Sequence, residues 1–504
     1  GSTGASQWVR RSPLSVWWGV SLALAVLSAL VWPTVPSYDP FSWVVWGREV
    51  SDPHIAFFIG GGPSWKPLPF LFTTVYGALG GIAPTLWVIT ARAGGIAGLI
   101  AAWRLAALLT RRAGLPEAAA WAAGVIAAGA IVLTAPTSGW AYYFFRGASE
   151  PLLIGTWLWA IDRLMAGRHW QAYMLLAATG LMRPEAWPFL LLYGAWLWRK
   201  APGMRVWVLL GLLAQPVGWF VPPWISTGQP LLAASHAHQY NGHLGSNWLA
   251  TVLDRGATLQ PLPALAFAGL AVALALWRGR DRIVLAIAAA VVLWWLIVVV
   301  MTAVGYPGLQ RFYLPAAALT CVLAGYGVVR AAALVAELVA GVAEGIPARA
   351  PGEALPLTGA RGATAALAAV VLVAVWVPFL SSRVSFARAQ EPLAAKAVKR
   401  IDELGGAIAY LGGREVILPC ASSVVTINHS LQTALAWKLR TTLERVQTVL
   451  KRPGIAFVGP HDSIDGGAPP IAARLSVHHR IGKLGAWRLY EVYAPGPPPR
   501  CLGR

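Results

Sequence analysis

The sequence predicts an α-helical polytopic membrane protein with about eleven transmembrane helices and a small extracytoplasmic α/β domain at its C-terminal end. Three observations carry this. First, 57% of the 504 residues are hydrophobic and 12% are charged. That is about half the charged share of a soluble domain, roughly 25%, so lipid rather than water must cover the surface. Second, apolar runs approaching the ~20 residues of a spanning helix recur through the first three quarters. They lack period-2 alternation, which favours helices over an outer-membrane barrel. Third, the composition turns polar after residue 381 and helix-like stretches alternate with strand-like ones.

Candidate spans lie near residues 15–33, 85–110, 117–135, 151–166, 170–182, 186–198, 205–224, 261–277, 283–303, 314–330 and 363–380. The first follows Arg10 and Arg11, as a signal peptide's apolar region would. No small-residue cleavage site comes after it and further spans do, so it reads as a retained anchor. Threading the spans from a cytoplasmic N-terminus (1–14) puts the basic clusters on one side. They are Arg10/Arg11, Arg111/Arg112, Arg163/Arg168, Arg199/Lys200/Arg205, Arg278/Arg280/Arg282 and Arg330/Arg349/Arg361. This positive-inside bias accounts for the net charge of +20 without nucleic acid as a partner. The expected location is the plasma (inner) membrane, with the C-terminal part outside.

Within the transmembrane body (15–380), residues 34–67 form a first outer loop too long and too aromatic for a plain connector, so it is expected to hold helices on the membrane surface. Residues 68–83 are apolar but broken by Pro69, Gly77, Gly80 and Gly81, and suit either a re-entrant or interfacial piece or two further spans, which would leave the parity unchanged. Residues 331–362 read as a cytoplasmic linker with a surface helix. In the outer domain (381–504), helices are expected at Glu391–Leu404 and His429–Arg440. Strands are expected at Glu415–Pro419, Ile455–Gly459 and Ala486–Tyr493. Three cysteines are too few for a disulfide framework or a zinc site. Cys321 lies in an apolar run, whereas Cys420 and Cys501 could pair outside.

Ionisable groups near membrane depth are costly and mark function by default. Here Asp39, Lys66, Arg146, Glu150, Arg183, Glu185 and Arg311 all fall at the outer ends of the expected spans, among Trp, Tyr and Pro. Asp39 suits a general base or the cap of the helix that begins at Pro40. Lys66, in Trp65-Lys66-Pro67, suits a phosphate or the snorkelling of an interfacial lysine. Arg146 and Glu150 have helical i,i+4 spacing and suit either a salt bridge or a site. Arg183 and Glu185 flank Pro184 and suit an ion pair at a buried turn or a substrate contact. Arg311, followed by Tyr313 in Gln310-Arg311-Phe312-Tyr313-Leu314-Pro315, suits a phosphate clamp. His236, His238 and His243 have no interleaved carboxylate, so hydrogen bonding to substrate is favoured over metal. Trp43 and Trp65 are the aromatic groups placed to line the same cavity. Neither a Walker A motif nor a Gly-x-Ser-x-Gly elbow is present.

On these residues the chain resembles the GT-C superfamily of membrane glycosyltransferases over roughly residues 10–330. In that family an acidic residue follows the first span, which maps onto Asp39. A second acid in the next outer loop maps onto Glu150. Lipid-linked aminoarabinose and mannose transferases carry a basic residue late in the first loop, like Lys66, and an Arg-Tyr-x-Leu-Pro motif entering a late span, which Arg311-Phe312-Tyr313-Leu314-Pro315 approaches with Phe inserted. The chain also departs from the family, because Pro40 stands where many members have a second acid. The resemblance implies a hexosyl- or pentosyltransferase with a polyprenyl-phosphate-linked sugar as donor and a glycan or glycolipid of the cell envelope as acceptor. Asp39 and Glu150 would be catalytic, and Lys66, Arg146, Arg311 and Tyr313 would bind the donor phosphate. Arg183, Glu185, His236, His238, Trp65 and Trp43 would contact substrate. No cofactor is implied, although a divalent metal is compatible. The competing classes are a transporter or flippase of a lipid-linked intermediate and a non-catalytic envelope assembly protein. Transporters commonly show repeats and midplane charges, and this sequence shows neither.

Overall fold

The computed structural model describes residues 13–63, 65–135, 139–239, 245–277, 281–344, 359–420, 424–427, 429–448, 454–459 and 478–492. Arg10, Arg11, His243, Arg278, Arg280, Arg349, Cys501 and the side chain of Cys420 lie outside this description. The first half of the chain forms α1 (Leu14–Val31), α2 (Tyr38–Ser51), α3 (Pro67–Gly77), α4 (Ala83–Arg112), α5 (Glu117–Val132), α6 (Trp140–Phe145), α7 (Glu150–Met165), α8 (His169–Gly180), α9 (Trp187–Lys200) and α10 (Arg205–Thr227). Then come α11 (Leu232–Gln239), α12 (Trp248–Ala257), α13 (Leu262–Trp277), α14 (Arg282–Ala303), α15 (Leu314–Glu344), α16 (Gly359–Ala374) and α17 (Val377–Tyr410). Each expected apolar run is helical, and the last, 363–380, is broken between α16 and α17.

Five helices, α1, α4, α10, α14 and α15, are long and apolar enough to cross a bilayer. Two bent pairs, α12 with α13 (87°) and α16 with α17 (61°), raise the number to seven among the described residues. Local signals explain the ends. Proline sits in the first turn of α3, α4, α7 and α9, where its missing N–H has no partner to lose. Asp281 caps α14 by accepting from the backbone N–H of Ile283 and Val284. The 11-residue α3, about 17 Å long, is too short for the ~30 Å hydrocarbon core, as expected of an interfacial piece.

Helices α4 and α15 form the buried axis of the bundle, while α1, α10 and α14 turn most of their surface outward. The axis depends on small residues. A Cβ on Gly155 of α7 would lie 2.3 Å from the carbonyl oxygen of Gly94 in α4. The two backbones therefore cross at the close approach that small-residue pairs allow in membranes.

Beyond the bundle stand α18 (Arg414–Cys420), α19 (Gln432–Lys438) and strands β1 (Val424–Ile427), β2 (Val446–Gln447), β3 (Gly454–Val458), β4 (His478–Leu484) and β5 (Trp487–Val492). The sheet order is β2-β1-β3-β5-β4, with β1 parallel to β2 and β3, and β5 antiparallel to β3 and β4. Glu415–Pro419, expected as a strand, is the helix α18. Val416 and Ile417 favour a strand, but the Gly412-Gly413 turn starts a helix that buries Ile417 and Leu418 together. The boundary expected at 381 falls inside the continuous α17. Phe41, Trp43 and Val45 of α2 share one apolar cluster with Leu404, Leu435 and Phe457 of the small domain.

Candidate functional site

The chain leaves α1 and reaches Asp39 through a segment held from three directions. Arg92, buried in α4, donates to the carbonyl oxygens of Ser28 (3.1 Å) and Pro33 (2.7 Å), tying down the exit of the chain from α1. The Ser37 N–H donates to the carbonyl of Arg146 (3.0 Å). Tyr38 meets α19: its hydroxyl donates to Gln432 Oε1 (3.0 Å) and its carbonyl accepts from Thr433 Oγ1 (2.9 Å). Asp39 then stands in the first turn of α2, where the helix dipole favours an anion. It is not the cap, because α2 already begins at Tyr38. Its Oδ2 accepts from Arg311 Nη1 at 3.2 Å, and both side chains keep about a quarter of their surface exposed (24% and 25%). Arg311 belongs to the 3-10 turn Gln310–Tyr313 that opens α15.

A second, drier cluster lies beside this pair. Lys66 Nζ donates to Ser149 Oγ (2.6 Å) and Glu150 Oε1 (3.3 Å), and Arg183 Nη2 donates to the same Glu150 oxygen (2.9 Å). Lys66 lies 5.2 Å from the centre of the Trp43 ring, and Arg183 4.5 Å from that of Phe312. Burial lowers the Lys66 ammonium to about 8. Glu150 opposes that shift, while the guanidinium groups of Arg183 and Arg311 add to it. Glu150 is 2% exposed and answers two cations, so the carboxylate open to a substrate is Asp39.

Two cavities meet at the Asp39–Arg311 pair. The larger, about 480 Å³, has Lys66, Arg183 and Arg311 in its wall and continues past Trp187, Trp219 and Phe220. The smaller, about 270 Å³, lies between the bundle and the small domain, among Tyr142, Tyr143, Arg146, Leu393, Ile401 and Leu431. Tyr38, Asp39 and Arg311 line both.

The sequence-predicted residues divide accordingly. Asp39, Lys66, Glu150, Arg183, Glu185 and Arg311 come together, and Glu185 pairs with Arg183 Nη1 at 3.8 Å. Arg146 and Glu150 do not pair, because α6 ends at Phe145 and Gly147 (φ 59°) breaks the helical spacing. Arg146 instead donates to Gln390 Oε1 (2.7 Å) and lies 3.7 Å from the centre of the Tyr142 ring, in the smaller cavity away from Lys66. Tyr313 is fully buried against Trp295 (4.8 Å) and lines neither cavity. Trp65 packs between Trp46 and Phe70 and donates to the carbonyl of Gly218, fixing the chain beside Lys66. His236 lines the larger cavity, and burial lowers its pKa. The His238 ring lies tilted against that of Tyr306, with centroids 4.6 Å apart. Among the described residues no group of three His, Cys, Asp or Glu could hold a metal.

Sequence reasoning missed Arg92, Ser149 and the pair Gln432/Thr433. Arg92 was discoverable as a lone cation inside the apolar run 85–110. Nothing local marks Gln432 and Thr433, which act on a residue almost four hundred positions away.

No family model matches the chain, and no curated protein does. Solved structures do. ArnT from Cupriavidus metallidurans in the apo state aligns over 94% of this chain and 98% of its own, with 15% identity and a TM-score of 0.52. The same protein bound to undecaprenyl phosphate aligns over 96% and 100%, with 14% identity and a TM-score of 0.51. Over nearly its whole length, then, this multi-pass membrane chain has the fold of ArnT.

Proposed function

We propose that the chain is a glycosyltransferase that moves a sugar from a polyprenyl-phosphate donor to a cell-envelope acceptor, with inversion, on the outer face of the membrane. The observation that carries this reading is the Asp39–Arg311 pair as the common wall of two cavities. One cavity is apolar with three cations at its head, which fits a lipid phosphate. The relative with undecaprenyl phosphate bound supports the same class. The other cavity is aromatic and closed by the small domain, which fits the acceptor.

In the proposed reaction Asp39 removes the proton of an acceptor hydroxyl. The oxygen attacks the anomeric carbon from the face opposite the phosphate, and the carbon–oxygen bond to phosphate breaks. The electron pair leaves on the phosphate oxygen, where Arg311, Lys66 and Arg183 stabilise the developing charge. These cations supply the charge a divalent metal would, so the proposed reaction runs without a cofactor. Glu150 holds Lys66 and Arg183 in place. The outer-face assignment rests on polarity within single helices. In α4, α7 and α9 the site lies at the N-terminal end, and Arg111/Arg112, Arg163 and Arg199/Lys200 lie at the other.

The test is incubation of the purified protein with polyprenyl-phosphate-linked hexoses and pentoses plus envelope glycans, measuring release of the lipid phosphate. Asp39→Asn should abolish release while undecaprenyl phosphate still binds. Near-normal turnover in that variant would sink the assignment.

A further inference from the structure

General bases work only when held to within a fraction of an ångström of the proton they take, and a misplacement of about 1 Å costs on the order of a hundredfold in rate. Among the described residues the Asp39 carboxylate makes one side-chain hydrogen bond, to Arg311, and in the proposed reaction that guanidinium is also needed by the phosphate. What fixes the carboxylate must therefore act through the backbone, and the contacts on Tyr38 do so. Thr433 Oγ1 donates to the Tyr38 carbonyl at 2.9 Å, and the Tyr38 hydroxyl donates to Gln432 Oε1 at 3.0 Å. The Gln432 amide nitrogen is itself committed, donating to the carbonyls of Gly61 (3.1 Å) and Val446 (2.6 Å). Gln432 and Thr433 are 4% and 0% exposed. A buried polar network satisfied in this way specifies one geometry, because any other leaves an unpaired group in a low dielectric.

The far end of the same helix is fixed as well. Arg48 of α2 donates to the carbonyls of Trp437 (2.9 Å), Ala436 (3.4 Å) and Thr441 (3.0 Å), at and just beyond the end of α19. Its guanidinium lies 4.7 Å from the centre of the Trp437 ring. Helices α2 and α19 are thus joined at both ends, whereas a domain merely hinged on the bundle would need one contact. Ser430, Leu431 and Ala434, from the turn that carries the clamp, line the smaller cavity.

We propose that Gln432 and Thr433 are positioning residues for Asp39, so that the small α/β domain sets the base as well as closing the acceptor cavity. This rests on the reading of Asp39 as general base. The test uses the full-length protein and an isosteric pair. Thr433→Val removes the donor and keeps the shape, and Thr433→Ser restores the donor. In Thr433→Val and Gln432→Met, kcat should fall roughly ten- to a hundredfold. KM for the donor and the affinity for undecaprenyl phosphate should stay within about twofold. Thr433→Ser should return to within about twofold of the parent. Unchanged kcat in Thr433→Val, a parallel loss of lipid-phosphate binding, or no rescue by Ser overturns the clamp.

Hydrogen exchange gives a readout independent of turnover. The amides of residues 41–45 should exchange at least about tenfold faster in Thr433→Val, while those of α4 and α7 do not change. Identical exchange at 41–45 overturns the clamp whatever the protein catalyses. A parent protein that exchanges as expected yet releases no lipid phosphate from any donor overturns the glycosyltransferase reading and supports the clamp as geometry.

Discussion

Helices α4 and α7 cross at Gly94 and Gly155, and beyond that crossing lie two buried charge clusters, each built round one acid that meets two cations. Toward one end Glu150 accepts from Lys66 and Arg183. Toward the other, Asp162 accepts from Arg104 Nε (3.0 Å) and from Arg163 Nε (2.8 Å). Each sets a central acid between two cations under an aromatic cover, Trp43 and Phe312 in the first and Trp17 and Trp159 in the second, and in the first Glu185 adds a second acid beside Arg183. Burial and pairing alone therefore do not mark a site. The clusters differ in their neighbours. The Glu150 cluster adjoins a cavity and a half-open carboxylate, Asp39, while no member of the Asp162 cluster lines either cavity at Asp39. The Asp162 cluster closes the bundle, and the Glu150 cluster aims its cations.

The contrast can be broken most decisively at Asp39. Asp39→Asn should lower turnover by about a thousandfold or more with the melting temperature nearly unchanged, since the base is lost. Next come the two central acids. Glu150→Ala and Asp162→Ala should each destabilise by about 3–5 kcal/mol, because each takes a carboxylate away from two buried cations. Measured per folded molecule, only Glu150→Ala should also lose activity. Equal losses in both would erase the distinction.

A third test uses pH. Lys66 must be charged to meet a phosphate and titrates near 8, so kcat/KM should fall as pH rises through that value. Lys66→Arg should move the limb out of range. Stability runs the other way. The folded pKa lies below the ordinary 10.5, so the fully charged penalty present below pH 8 is relieved between about 8 and 10.5. Opposite trends in activity and melting temperature would identify a cation kept for function. Glu49 sharpens the comparison from the structural side. Burial raises it from 4.5 to about 8. Its contribution should make the protein less stable as pH rises through that window, with no effect on donor binding. The smallest effect is expected at Arg440, largely exposed opposite Asp52. Its replacement by Ala should change stability by less than about 1 kcal/mol.

The helical body was legible because lipid imposes a strong rule: each apolar run had to become a helix. The acids and bases Asp39, Lys66, Glu150, Arg183 and Arg311 were legible for the same reason, as charges at the ends of those runs. What failed depended on conformation at one residue. The i,i+4 spacing of Arg146 and Glu150 meant nothing once Gly147 took a positive φ. Tyr313 lies two residues beyond Arg311, and in a 3-10 turn that carries it to the opposite side, into the core. The Val416-Ile417 pair suggested a strand until packing on one face decided for a helix. Partners from distant positions, such as Thr433 for Tyr38, leave no local trace at all.

The ion pair between Asp39 and Arg311 carries a kinetic consequence. In the proposed reaction the closed pair would keep the base occupied and its carboxylate neutralised. An arriving lipid phosphate would compete for Arg311 and, by taking it, release Asp39 toward the acceptor. Under the proposed function the protein would thus be armed by its donor, which predicts compulsory-order kinetics, donor first. Initial-rate patterns with both substrates varied would test this, and random-order binding would refute it.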